Sequence, residues 1–127
     1  MNRVVHFEIP AENVKRAQKF YSDIFGWKIN DMPDINYTLR HTAPTDDGER
    51  LNEPGAINGG MLKRSNPINS PVITIDVDNI DETLKTIKEM GGRVIKEKTE
   101  FNNRGYSAYF KDTEDNILGL LQAREKK

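Results

Sequence analysis

Two parts of the chain combine a short β-rich segment with a longer helical pattern. The segments 4–9 and 72–77 are rich in β-branched residues and have the length of a strand. Apolar residues at helical spacing follow each segment and predict a helix with one buried stripe, formed by Val14, Ala17, Tyr21 and Ile24 in the first and by Ile80, Leu84 and Ile87 in the second. Gly26 and the Gly91-Gly92 pair are expected to end these helices, because a left-handed residue is needed there.

Three short strands are predicted after each helix, at 27–29, 37–41 and 57–62 and again at 93–96, 106–111 and 117–122. Asn79, with Glu82 three positions later, is predicted to cap the second helix. Each half of the chain is therefore predicted to have the element order βαβββ.

The two halves also resemble each other in sequence. His6 and Val72 lie 66 positions apart, and at this offset Asn13 matches Asn79 and Gly26 matches Gly92. The ends of the halves, INGGMLKR and ILGLLQAR, match at an offset of 60, because the first half has a longer polar loop at 43–55. These matches predict one domain over 1–127, with module one at about 3–64, a linker at 65–71 and module two at about 72–122.

Composition excludes several classes of function. The 19 basic and 20 acidic residues nearly cancel, so neither a nucleic-acid partner nor a membrane partner is expected. The chain has no cysteine, which excludes disulfides, thiolate metal sites and a thiol nucleophile. With no apolar segment long enough to span a membrane and no signal-like N-terminus, a cytoplasmic location is expected.

Alternation along the first strand of each half separates polar from apolar side chains. His6 and Glu8 point away from Phe7, and Thr74 and Asp76 point away from Ile75. A helix must cover each apolar face, so the polar residues are expected on the other side of the sheet. Two interpretations stay open at this point, namely a ligand-binding cleft and an ordinary solvent-exposed face.

Several segments together resemble the glyoxalase/bleomycin-resistance/extradiol-dioxygenase superfamily, also called vicinal oxygen chelate proteins: VVHFEIP, FYSDIFGWKI, IDVDNIDETLKTIKEMGGRVI and YFKDTEDNILGLLQ. The resemblance extends from Arg3 to Gln122 and is closest to a sub-branch described as related to lactoylglutathione lyase. Thr113 and Asp115 depart from the proline and glycine that the superfamily usually has there. The resemblance implies an α+β fold in which two paired βαβββ modules form a cupped mixed sheet with the helices outside, and it implies a homodimer.

The resemblance also locates the superfamily's metal site. Its metal-dependent members bind a divalent ion through the first and last strand of each module, at positions that fall on His6, Gly59, Val72 and Gly119. Only His6 can act as a ligand, whereas such a site needs three or four donors. Neither a metal at these positions nor another cofactor is therefore expected.

The candidate site contains two predicted catalytic residues, His6 and Glu8, which are suited to acid/base chemistry. The predicted ligand-binding residues are Tyr37, Gly59, Thr74, Asp76, Tyr106 and Gly119. Tyr106 and Tyr109 are three positions apart and should face opposite ways, so that one lines the cleft and the other packs.

The leading hypothesis from the sequence is a metal-independent protein that binds a small organic molecule in the cup and acts as a lyase or isomerase. Two alternatives stay open. One is a resistance-type protein that sequesters its ligand without turnover. The other is a metal-dependent lyase or dioxygenase with rearranged ligands such as His6, Glu8 and Asp76.

Overall fold

The computed structural model describes residues 1–32, 37–41, 56–101 and 105–123, with the side chains of 29–32, 37–41 and 101 outside the description. The chain divides into two compact units. We call His6–Pro71 the first module, and Val72 onward together with Met1–Val5 the second module. No helix in the described ranges is long and apolar enough to cross a membrane.

The first module has the predicted order of elements, with a first strand that begins two residues before the module does: β1 (Val4–Ala11), α1 (Val14–Phe25), β2 (Lys28–Met32), β3 (Tyr37–His41) and β4 (Asn58–Lys63). Strand β4 pairs parallel to β1 and antiparallel to β3, and β2 pairs antiparallel to β3. The Asn13 side chain caps α1 by accepting a hydrogen bond from the Arg16 backbone N–H at 3.0 Å. Gly26 ends the helix at φ 72°, which confirms the predicted left-handed stop.

The second module repeats this order: β5 (Val72–Asp76), α2 (Ile80–Glu89), β6 (Arg93–Phe101), β7 (Gly105–Lys111) and β8 (Ile117–Ala123). Its strands lie in the order β5-β8-β7-β6, with β5 and β8 parallel and the other pairs antiparallel. Asn79 caps α2 through the Glu82 backbone N–H, as predicted. Both modules therefore confirm the α+β class and the βαβββ plan, whereas the cup that the modules would form together stays a prediction.

Strand β6 is longer than the predicted segment 93–96. It continues to Phe101 because its pairing with β7 passes through register shifts between Val94 and Thr99 instead of ending there. The charged sequence of this strand, RVIKEKTEF, gives little apolar signal from which to predict the extension.

The core of the second module lies between α2 and one face of its sheet. Its buried residues are Val77, Ile80, Leu84, Ala108, Phe110 and Leu120. Ile75 packs against this cluster, as the alternation predicted, whereas Ile73 is half-exposed and does not belong to it. The predicted buried stripe of α2 is confirmed at Ile80 and Leu84.

The helix of the first module packs differently, through an aromatic stack. The Tyr21 ring lies parallel to the Trp27 ring at 5.2 Å, and Trp27 contacts Phe7 on β1 at 5.7 Å. No residue of α1 is fully buried. The predicted place of Ile24 in the stripe is wrong, since its side chain is exposed while Trp27 packs beside Tyr21.

The first five residues group with the second module, although the sequence repeat assigned the chain from Arg3 to module one. The Arg3 carbonyl accepts a hydrogen bond from the Asp76 backbone N–H at 2.9 Å. The Asn2 side chain donates to the Asp76 carbonyl at 3.0 Å. These backbone contacts explain the grouping, which no side-chain pattern of residues 1–5 could indicate.

Candidate functional site

The polar face of β1 carries His6 and Glu8, two positions apart on the same side of the strand. The parallel register with β4 places Asn58 beside His6 and Gly60 beside Glu8. Only 6% of Glu8 is exposed, and His6 is partly buried. At Glu8 this burial excludes the solvent-face interpretation that the sequence left open.

Burial lowers the pKa of His6 below its ordinary value of 6.5, and the nearby Glu8 carboxylate opposes this shift by favouring the charged imidazolium. Because desolvation is the larger cause, the imidazole is neutral at neutral pH. A neutral imidazole has one nitrogen that donates a hydrogen bond and one that accepts a proton or hydrogen bond. The pair can therefore accept a proton at His6 and stabilise the resulting charge through Glu8.

The corresponding face of the second module also carries residues that lie side by side on neighbouring strands. Thr74 on β5 lies beside Gly119 on β8, and Gly119 lies opposite Tyr109 on β7. Thr74 is only 6% exposed. A Cβ atom added to Gly119 would lie 2.7 Å from the Thr74 hydroxyl oxygen, so the missing side chain gives room to Thr74. Asp76 shares this face in the next row, beside Leu121.

The structure places Gly59 on the face opposite to the predicted one. It lies beside Phe7, and a Cβ atom added to it would come within 2.6 Å of the Phe7 ring. This glycine therefore gives room to an aromatic side chain on the helix-facing side, and it does not share the face of His6. The correct neighbour on that face is Gly60, which follows it directly in the sequence.

The structure also reverses the assignment of the two tyrosines. Tyr106, the predicted ligand residue, packs against the core cluster under α2, with the Lys98 ammonium 5.0 Å above its ring. Tyr109 lies on the opposite face, in the row of Thr74 and Gly119. The pairing of Tyr109 with Gly119 establishes this. The three-residue spacing predicted that the two tyrosines face opposite ways, but it could not predict which of them faces the core.

Tyr37 lies on β3 opposite Leu62, and its side chain falls outside the described part of the structure. Its predicted contact with a ligand is therefore untested. Tyr37 and Pro10 both pair with Leu62, so Tyr37 lies level with Pro10 and not with His6.

The residues at the superfamily's metal positions do not fit a divalent ion. His6 is a donor, but Val72 is apolar and only 2% exposed. Gly59 faces Phe7, and the place of a side chain on Gly119 is taken by Thr74. Nor do three or more His, Asp or Glu side chains gather into a metal-binding group anywhere in the described ranges. The alternative ligand set of His6, Glu8 and Asp76, whose members belong to different modules, stays a prediction.

Comparison with known proteins agrees with this fold. Residues 3–43 match the family described as bleomycin resistance protein-like N-terminal. A glyoxylase-like domain-containing protein of Didymella fabae is 30% identical over 118 residues, covering 89% of this chain and 88% of that protein. A probable lactoylglutathione lyase of Vibrio parahaemolyticus is 24% identical over 127 residues, covering 97% of this chain and 92% of the relative.

A solved structure supports the same assignment at the level of the fold. A glyoxalase/bleomycin resistance protein/dioxygenase superfamily member from Vibrio splendidus superposes with a TM-score of 0.61 and 16% identity, covering 98% of this chain and 100% of the other. Together with the 30% identical relative, which this chain matches over most of its length, the paired βαβββ plan shows the family. This chain belongs to the glyoxalase/bleomycin-resistance/dioxygenase superfamily.

Proposed function

We propose that the chain binds a small organic molecule beside His6 and Glu8, without the divalent metal that many superfamily members use. The observation that carries the proposal is a carboxylate buried on β1 next to a histidine whose pKa is lowered by burial. A histidine with such a shifted pKa is a candidate for a functional site, because a general base must be deprotonated at working pH.

The chemistry of this pair is proton transfer. Neutral His6 accepts a proton from a carbon or oxygen atom of the bound molecule, and Glu8 stabilises the imidazolium that forms. Return of that proton to a different atom of the same molecule completes an isomerisation, and loss of a leaving group completes an elimination. With no metal to stabilise an enolate, the proposal favours carbonyl compounds whose proton is already acidified, such as thioesters and 1,3-dicarbonyl compounds.

Within the second module taken by itself, we propose Thr74, Asp76 and Tyr109 as ligand-contacting residues. These three residues share one face of the sheet, and Tyr109 replaces Tyr106, which packs in the core. A tyrosine supplies both an apolar ring and a hydroxyl that can donate to a carbonyl oxygen. Gly119 is proposed to contribute indirectly, because its missing side chain leaves room for the Thr74 hydroxyl.

The first experiment is a melting-temperature screen of thioesters and 1,3-dicarbonyl compounds, run with EDTA and, separately, with added Ni²⁺, Zn²⁺, Mn²⁺ or Fe²⁺. A ligand that binds only the folded protein raises the melting temperature, and at a concentration of 100 times Kd the stabilisation is about 2.7 kcal/mol. We expect shifts in EDTA that added metal does not increase. A stoichiometric metal ion in the purified protein, with ligand shifts that EDTA abolishes, would contradict the metal-free proposal.

The second experiment tests the roles of His6 and Glu8 with the variants His6→Ala and Glu8→Gln. His41→Ala is the matched control, because it removes the only other histidine of the chain. For an enzyme, loss of a general base lowers kcat by roughly 10²–10⁴-fold while much of the ligand-induced shift remains. Ligand shifts without turnover in the wild-type protein would instead support a sequestering protein. Variants of His6 and Glu8 that change neither the ligand-induced shift nor kcat would place the ligand elsewhere.

A further inference from the structure

The sheet face of the second module that points away from α2 gathers positive charge around Tyr109. Strand pairing places Lys96 on β6 beside Tyr109 on β7. Toward the end of β7, Arg93 lies beside Lys111. Tyr109 and Lys111 are two positions apart on one strand and share a face, whereas Phe110 between them lies in the core. We call Arg93, Lys96 and Lys111 the cationic group.

The pairing of Arg93 with Lys111 does not favour the fold by itself. Like charges directly opposite each other on neighbouring strands destabilise the pair. Asp115 lies 3.9 Å from Arg93, but the two side chains are 80% and 71% exposed, so this contact offsets little of the repulsion. Lys111 is partly buried, and no carboxylate in the described part of the chain forms an ion pair with it.

Strand β6 directs two of its lysines to opposite faces of the sheet. Lys98 lies on the α2 side, where it forms an ion pair with Asp81 at 2.7 Å and lies above the Tyr106 ring. Lys96 is only two positions earlier, yet the register shifts on either side of it place it on the face of Tyr109. Within the described ranges Lys96 has no ion-pair partner, the neighbouring Glu97 included. The lysine on the α2 side is therefore neutralised within the module, whereas Lys96 is not.

The cationic group adjoins the residues proposed to contact the ligand. Four residues, one from each strand, lie side by side across this face: Thr74, Gly119, Tyr109 and Lys96. Asp76, a carboxylate on the same face, lies beside Leu121, which pairs with Ser107 on β7. Ser107 is four positions from Lys111, so at about 3.3 Å per residue and about 4.8 Å between strands the backbones of Asp76 and Lys111 are about 16 Å apart. At that distance Asp76 does not neutralise the cationic group.

An anionic group of the ligand would supply the missing negative charge. We infer that the cationic group binds an oxyanion of the ligand, either a carboxylate or a phosphate, next to Tyr109. Lysine and arginine are the usual donors to such groups, and a tyrosine hydroxyl adds a further hydrogen bond. The inference deepens the proposed function and rests on it for the rest of the ligand, whereas the anion contact involves neither His6 nor Glu8. Of the carbonyl compounds proposed above, it selects those that carry a negative charge.

The test is an NMR titration of the ¹⁵N-labelled full chain with sodium malonate and, separately, with inorganic phosphate. Each probe is raised to about 50 mM at constant ionic strength, with sodium chloride as the blank, because salt screens exposed charges. We expect saturable shifts of the amide signals of Lys96, Tyr109 and Lys111. The probe with the lower Kd identifies the group as a carboxylate or a phosphate.

Variants of Lys111 measure its share of the binding. Lys111→Gln should raise Kd roughly threefold to tenfold, because a charge-assisted contact is lost. Lys111→Arg keeps the charge and should stay within about twofold of wild type. Lys85→Gln is the matched control, since it removes the same charge from an exposed position on α2. Circular dichroism melts establish that each variant is folded.

Three results would overturn the inference. Signals that do not saturate with either probe exclude an anion site, and shifts that saturate only outside β6 and β7 place the anion elsewhere. An equal rise in Kd for Lys85→Gln and Lys111→Gln would mean that the probes respond to the overall charge of the protein.

Failure of the inference and failure of the proposed function give different results in the ligand screen. If malonate or phosphate binds as expected while no thioester or 1,3-dicarbonyl compound raises the melting temperature, the anion site stands and the proposed function fails. If neutral compounds of these classes bind as tightly as anionic ones, and Lys111→Gln leaves both unchanged, the proposed function stands and the inference fails.

Discussion

The two modules follow one sequence plan, yet their helices are stabilised in different ways. Helix α2 inserts aliphatic side chains into a core, whereas α1 rests on an aromatic stack formed by Tyr21, Trp27 and Phe7. Position 14 of α1 is only partly buried, although its counterpart at the repeat offset, Ile80, is completely buried. Similar apolar spacing therefore predicts a helix without predicting how deeply it packs.

The ends of the helices differ as well. The first turn of α2 contains Asp81 and Glu82 and its last turn contains Lys88. These charges stabilise the helix because they oppose the partial charges at the ends of its dipole. The first turn of α1 has no acidic residue and its last turn has no basic residue. Because α1 lacks both a deep core and favourable end charges, the first module should contribute less to stability than the second.

The largest difference in stability should come from substitutions at Ile80 and at Val14, its counterpart in α1. Ile80→Ala should lower the free energy of unfolding by about 2–5 kcal/mol, since it leaves a cavity in a packed core. Val14→Ala should cost about 1 kcal/mol, because its side chain is only partly buried. Urea unfolding at one temperature measures both values. Equal losses at the two positions would contradict the difference in packing.

The next largest effect should come from a contact that supports α2. The Gln122 side chain on β8 accepts a hydrogen bond from the Ile80 backbone N–H at 2.8 Å, in a partly buried position. Gln122→Leu should cost about 1–3 kcal/mol, because it leaves that N–H without its acceptor. Gln122→Glu keeps an acceptor oxygen near the helix N-terminus and should stay within about 1 kcal/mol of wild type. If both variants unfold at the same urea concentration as wild type, the contact does not stabilise α2.

Much of the fold could be predicted from the sequence, because the helix caps, the helix ends and the strand alternation all indicated the same arrangement. Asn13 and Asn79 cap their helices, Gly26 ends α1, and the alternation of β5 places Ile75 and Val77 toward α2. These features depend on neighbours along the chain, and local sequence carries that information.

The candidate site could be predicted only in part, because the face of the sheet on which a side chain lies depends on how neighbouring strands pair. The repeat matched Gly59 with Gly119 at an offset of 60, whereas the structure pairs Gly60 with Glu8 and Gly119 with Thr74. A slip of one residue moves a side chain to the other face of the sheet. The Gly59-Gly60 pair offers no side chain by which the sequence could fix that register. For the same reason, only the strand pairing could distinguish Tyr106 from Tyr109.

Acid should destabilise the first module specifically, because His6 has an apolar counterpart, Val72, in the second module. Burial lowers the pKa of folded His6 below 6.5, so the unfolded chain binds the proton more strongly. Stability is therefore complete above about pH 6.5 and falls as pH drops toward the lowered folded value. One proton gives a slope of at most about 1.4 kcal/mol per pH unit.

Urea unfolding between about pH 5 and pH 8 tests this slope. His6→Gln should reduce the slope in that window, while the control His41→Gln should leave the contribution of His6 intact. A slope that is the same in wild type and His6→Gln would mean that His6 does not titrate differently on folding. The Glu8→Gln variant should steepen the loss, since it removes the carboxylate that favours the charged imidazole.

The smallest effects should come from two left-handed residues, one in each module. Gly26 after α1 has φ 72°, and Asp115 in the β7–β8 turn has φ 67°. Asp115→Gly should stabilise the chain by about 0.5–1 kcal/mol, because glycine adopts this backbone without steric cost. Asp112 still holds the turn by accepting hydrogen bonds from the backbone N–H groups of Glu114 and Asn116, and the exposed 3.9 Å pair of Asp115 with Arg93 contributes little.

Gly26→Ala should cost about 1 kcal/mol through the backbone alone, since no atom lies within 4 Å of the added Cβ. Thermal melts of the two variants should therefore shift in opposite directions, and a loss of stability in Asp115→Gly would mean that the aspartate side chain contributes more to this turn than its backbone angle costs.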